Sequence, residues 1–255
     1  MRRREKFVIT AVLLSLGLLG VQYVVLEWRY LALLVLTVVS YFVSAWALAD
    51  DLQPHEWLTV VPFPALYASS VGLFYFLLPE NLLSKFFILG LFGIGMYALL
   101  LTSNIYSVAK GRTIQLLHAA HAIGLLFTLL TSVLFTNTIY NLRLPFYANG
   151  LLVGLVHFPL ILMSLWAIEL RSRVPREIWV LSGVLTMLLM ELAVILSFFP
   201  FSVWHLSLFI MAIVYIGLGL LHNFLKGRLF DSTLTEYSLV GVFVLLMFIV
   251  LFPYK

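Results

Sequence analysis

Glu191 and His157 stand out first, because each is an ionisable residue deep inside a long apolar stretch. In a membrane span such a residue costs roughly 2.5–3.5 kcal/mol on insertion scales, so its retention points to a function by default. Glu191 lies 14 residues beyond Glu177, about 21 Å along a helix rising 1.5 Å per residue. His157, on the preceding stretch, lies 12 residues before Glu169, about 18 Å from the same side. That gives the two a common depth. A Glu–His pair between adjacent helices would carry a proton, and the plainer account is two polar groups satisfied in a packed bundle.

A second group sits where RTIQLLHAAH opens another apolar stretch. Arg112, Gln115, His118 and His121 recur at steps of three, one slowly drifting polar stripe over the inner two to three turns of a helix. The end of the preceding stretch adds Thr102, Ser103, Asn104 and Ser107, and a later one ends in His222 and Asn223. Together these are candidates to line a small polar cavity open to the cytoplasm. His118 and His121 also invite a metal or haem reading, but no third ligand is assigned and no HExxH occurs, so neither metal nor cofactor is expected.

The elements that must hold these residues are membrane helices. Hydrophobic residues make up 63% of the 255, charged residues 10%, and mean hydropathy is +1.10. A soluble domain is about a quarter charged, so the solvent for most of this surface has to be lipid. The fold class expected is all-α, a polytopic bundle. A span needs roughly 20 apolar residues. Nine stretches qualify: Phe7–Leu26, Tyr30–Ala49, Leu58–Leu78, Phe86–Ala109, Thr113–Thr136, Phe146–Ile168, Ile178–Phe199, Leu206–Leu225 and Tyr237–Phe252.

Lys and Arg accumulate in short cytoplasmic loops, which tests the threading. With the N-terminus inside, eleven cations fall on the inner side: Arg2, Arg3, Arg4, Lys6, Lys110, Arg112, Arg171, Arg173, Arg176, Lys226 and Arg228. Four fall outside: Arg29, Lys85, Arg143 and Lys255. The inner loop Asp50–Glu56 dissents, having no cation at all. A plasma-membrane protein with its N-terminus cytoplasmic and its C-terminus outside is expected, its first helix retained because no secretory cleavage pattern follows it. Net charge +4 and pI near 9.3 do not imply nucleic acid, since the cations are scattered among turns. Membrane lipids and other membrane proteins are the expected partners. No connection exceeds about a dozen residues, leaving no room for a soluble catalytic domain. Without a cysteine there is no thiolate chemistry.

An internal echo suggests duplication. Ser44–Trp57 reads SAWALADDLQPHEW and Ser164–Trp179 reads SLWAIELRSRVPREIW, pairing Trp46 with Trp166, Pro54 with Pro175 and Glu56 with Glu177. Pro79 and Pro200 each follow their first proline by 25 residues, and Lys-Gly-Arg recurs at Lys110–Arg112 and Lys226–Arg228. This fits four-helix units over residues 1–112 and 113–228, parallel in the membrane, with an extra helix over 229–255. Chance, together with a shared need for aromatic and basic residues at interfaces, is the competing account.

Other features speak of packing. Gly150 and Gly154, Ala65 and Ser69, and Ala68 and Gly72 form small-xxx-small pairs that let helices approach closely. Pro62, Pro64 and Pro159 are expected to bend their helices. Trp28, Trp57, Trp179 and Trp204 fall at span ends, where indole prefers the headgroups.

Through NIYSVAKGRTIQLLHAAHA (Asn104–Ala122), NLRLPF (Asn141–Phe146), LWAIEL (Leu165–Leu170) and KGRLF (Lys226–Phe230), the chain resembles an uncharacterised family of bacterial multi-pass membrane proteins. The resemblance covers most of the chain. It implies a bacterial plasma membrane and carries over no activity, catalytic residue or cofactor. Three readings then compete. A structural, interaction or assembly component leads, a small proton-linked transporter using His157 and Glu191 follows, and an enzyme on a lipid-linked substrate using Arg112, His118 and His121 is third.

Overall fold

The computed structural model describes residues 3–78, 81–109, 116–171 and 173–250, and every regular element among them is helical. In chain order these are α1 (Arg3–Gln22), a 3-10 turn (Leu26–Trp28), α2 (Arg29–Leu48), α3 (Glu56–Thr59), α4 (Pro62–Tyr75), α5 (Leu82–Val108), α6 (Leu116–Asn141), α7 (Phe146–Glu169), α8 (Arg176–Leu196), α9 (Val203–Leu225) and α10 (Asp231–Val250). With α3 and α4 taken as one stretch, nine are long and apolar enough to cross a membrane among the described residues, as expected from the sequence.

Two boundaries moved for identifiable reasons. The third span is not a single bent helix: it breaks at Val60 and Val61, and Pro62 restarts it at the first helical position. Proline has no N–H to give and its φ suits a helix start, so Pro62 belongs at N1. The last helix begins six residues before Tyr237, because Asp231 opens its first turn, where a carboxylate suits the positive end of the helix dipole. Pro159, by contrast, sits inside α7, which continues through it to Glu169. Gly227, at φ +63°, ends α9 in a paired turn: its N–H donates to the Phe224 carbonyl at 2.9 Å, and that of Arg228 to the Asn223 carbonyl at 2.9 Å. This explains the glycine of the second Lys-Gly-Arg triplet. The first triplet lies outside the described residues.

The chain forms two compact units, residues 1–127 and 128–255. In the first, α1 packs against α2 and α5, and α4 against α2 and α5. Leu14, Leu18, Leu33, Phe92, Met96 and Leu99 fill the interior. Gly72 receives the Leu33 side chain, which a Cβ would displace. Tyr67 stacks on Phe92 at 5.6 Å between centroids and meets Phe127 edge-on at 5.3 Å. In the second unit α7 and α8 make the closest pair, α9 lies against both, and α10 packs on α9. Phe248 of α10 lies against Phe201 and Phe209, with centroids at 4.0 and 4.4 Å. No residue of α10 is buried.

Gly150 and Gly154 do bring two backbones together. A Cβ on Gly150 would come 3.2 Å from the Met190 carbonyl and 2.6 Å from Val194 Cγ2, while one on Gly154 would run into the Met190 side chain. Trp28, Trp57, Trp179 and Trp204 are all exposed at helix ends, as belt residues are. The echoing residues differ in setting. Trp46 is half-exposed and Glu177 exposed, whereas Trp166 and Glu56 are fully buried.

Candidate functional site

His157 is fully buried on α7. Its Nδ1 lies 2.8 Å from the Val153 carbonyl, four residues back along the helix, and its Nε2 lies 2.7 Å from Ser132 Oγ on α6. A carbonyl only accepts, so the ring proton sits on Nδ1. Nε2 then accepts from the serine hydroxyl. This is the order in which a histidine activates a serine nucleophile, with a carbonyl orienting the ring. Both side chains are at 0% exposure, however, and the contact works as an interhelical clasp.

Ser132 escaped the sequence reading, although a signal was present. Thr128, Thr131, Ser132, Thr136, Asn137 and Thr138 crowd one part of α6, and all six are buried. Hydroxyls are cheap on a hydropathy scale because they bond back to their own helix. Thr138 does so, donating to the Leu134 carbonyl at 2.9 Å.

Glu191 does not meet His157. It lies on the exposed side of α8, in a groove of about 570 Å³ lined by Tyr147, Gly150, Leu151, Met187, Met190, Val194 and Ile195. The buried side of α8 runs through Ile178, Ser182, Leu185, Leu189, Ala193 and Leu196. Glu191 is two residues from both Leu189 and Ala193, roughly 200° around the helix from each. Glu191 stands beside Gly150 and Leu151, at least six residues along α7 from His157, so the two are offset along the helices as well as in azimuth. Among the described residues no hydrogen bond or ion pair reaches this carboxylate.

The second candidate group is placed in pieces. Arg112 and Gln115 lie outside the described residues. In the first unit, His118 is exposed and His121 half-buried, its ring 5.8 Å from that of Tyr106, whose hydroxyl donates to the Ala120 carbonyl at 2.8 Å. Asn104 donates to Asp51 Oδ2 at 3.0 Å. In the second unit, His222 Nε2 lies 3.2 Å from Ser164 Oγ, and Asn223 donates to the Gly219 carbonyl at 2.9 Å. Among the described residues no three His, Asp or Glu side chains gather as a metal site would require.

A polar knot that the spacing did not reveal explains the dissenting loop. Asp50 and Asp51 lie beside the start of α1, where Lys6 Nζ donates to both Asp50 oxygens at 2.8 and 3.0 Å and Arg3 reaches Asp51 at 2.7 Å. Lys6 also sits 5.9 Å above the Trp46 ring. The Lys6 hydrogen bond and the nearby charges of Lys6 and Arg3 hold the Asp50 carboxyl below the ordinary carboxylate range. The loop needs no cation of its own, because α1 supplies two. Glu56, buried at the start of α3, accepts from the Gln53 N–H at 2.7 Å and so ties the turn from within.

No family model matches this chain, and neither the curated proteins nor the solved structures provide a match.

Proposed function

We propose that this chain is a structural and assembly component of a bacterial plasma membrane, with its N-terminus and cationic turns on the cytoplasmic side and its C-terminus outside. The setting of His157 carries this reading. A proton carrier needs an imidazole that exchanges its proton with water or a carboxylate, and this one is sealed from both with its two nitrogens engaged. The other polar groups follow suit: Asp50, Asp51 and Asn104 bind within one knot, His222 meets Ser164, and Glu169 meets Arg171 at 3.0 Å. The first two of these contacts join separate helices and turns, and the third closes the end of α7.

Transport is the runner-up, and one experiment separates the two. Reconstituted in proteoliposomes with a pH-sensitive dye, the protein is expected to leave proton flux at the level of empty vesicles. In mild-detergent extracts it should migrate in a complex larger than its own 29.0 kDa. A proton flux abolished by His157→Gln would establish the transporter instead.

A further inference from the structure

We propose that the groove around Glu191 receives a transmembrane helix of another protein, one that presents a single Lys or Arg to the Glu191 carboxylate. This rests on the assembly reading and names the chemistry of the partner. Glu191 lies five residues before the last residue of α8, about 8 Å inward from that helix end. Around it Tyr147, Leu151, Met187 and Ile195 are exposed, which makes an apolar trough with one acid in it. A carboxylate facing hydrocarbon is expensive, and a cation brought to it there is held far more strongly than in water. Methionine at 187 and 190 lets the trough adapt to an arriving helix.

A second copy of this chain is a poor occupant. Each Lys and Arg within a described helix lies in that helix's first turn, at Arg3, Arg4, Lys6, Arg29, Lys85 and Arg176. None stands in a helix interior. Arg3 and Lys6 already hold Asp51 and Asp50, and Lys85 lies over the Tyr23 ring. Among the described helices of this chain, none offers a cation at the depth of Glu191, which favours a partner helix from a different polypeptide.

The test uses two synthetic Leu-Ala peptides of about 22 residues, long enough to span a bilayer, one with a single Lys six residues from its end and one with Leu there. Energy transfer from labelled peptide to the full-length protein in phosphatidylcholine vesicles reads association. The Lys peptide is expected to bind about tenfold more tightly than the Leu peptide, a difference erased by Glu191→Leu and by Glu191→Gln. Glu191→Lys should transfer the preference to a Glu-bearing peptide. Because Glu191 lies on an exposed face, Glu191→Leu should unfold at the wild-type temperature. Equal binding of the two peptides by wild type, or a Lys preference that survives Glu191→Leu, overturns the proposal. So does a preference lost when phosphatidylethanolamine replaces phosphatidylcholine, since a headgroup amine would then be the occupant. If wild type and Glu191→Leu both co-purify in the same large complex, the docking site fails while the assembly reading stands. If wild type itself runs alone, both fail.

Discussion

His157 has one proton to give and one lone pair to fill, and its surroundings take both. Removing the Ser132 hydroxyl leaves a buried nitrogen without its donor. Soluble proteins put that loss at about 1–3 kcal/mol, but hydrogen bonds between membrane helices average about 0.6 and reach about 1.7 kcal/mol. The membrane figure governs here. Ser132→Ala is therefore expected to cost about 1 kcal/mol in denaturant titration of the purified protein, and Ser132→Thr to recover most of it. The same clasp predicts that a fluorophosphonate probe leaves Ser132 unlabelled in the folded protein. At this scale the sequence was half legible. Glu191 and His157 were recognisable as costly residues, because cost depends on residue type and depth alone. Their partners were not, because a partner depends on the direction a side chain faces. For Glu191 the direction was hidden because α8 is apolar on every side, with Leu188 exposed and Leu189 buried although the two are the same residue type.

Among the elements, the α7–α8 seam shows how little tolerance close packing leaves. Gly150→Leu has to displace Val194 or the α8 backbone at Met190, and overpacking of this kind typically costs about 1–3 kcal/mol. Gly183→Ala, on the same α8 but with nothing within 4 Å of a new Cβ, should be neutral or stabilise by up to about 1 kcal/mol through helix propensity. Thermal unfolding of the two variants side by side checks the contrast. The small-residue pairs were readable as contact points because close approach needs absent side chains wherever it occurs. The break before Pro62 was readable only as a bend. A proline inside a span and a proline at the start of one look the same until the preceding turn is placed, and here Glu56 and Gln53 place it.

For the whole molecule, composition decided the class, since no arrangement of this much apolar surface suits water. The thickness of hydrocarbon led to nine stretches, and among the described residues nine helices are long and apolar enough to cross a membrane. The echoing residues divide the chain at 112/113 and compactness divides it at 127/128, inside α6; similarity of sequence and density of contact are separate properties, and only the first can be read from residue types. The threading makes its own prediction. Arg173 and Ser202 flank α8 at opposite ends. Single cysteines at these two positions, in a chain that has none, should be labelled by an impermeant reagent from opposite faces of the membrane. Labelling of both from one face would overturn the path of the chain.

The bond between Lys6 and Asp50 joins residues 44 apart. Lys6 and Arg3 are made before the turn that carries Asp50 and Asp51, so the pairing closes only when the second helix has been added. Once the acidic turn arrives, the same charges are clamped to it. Two cations thereby fix the start of α1 to the end of α2, and the first two helices reach their final form as a hairpin.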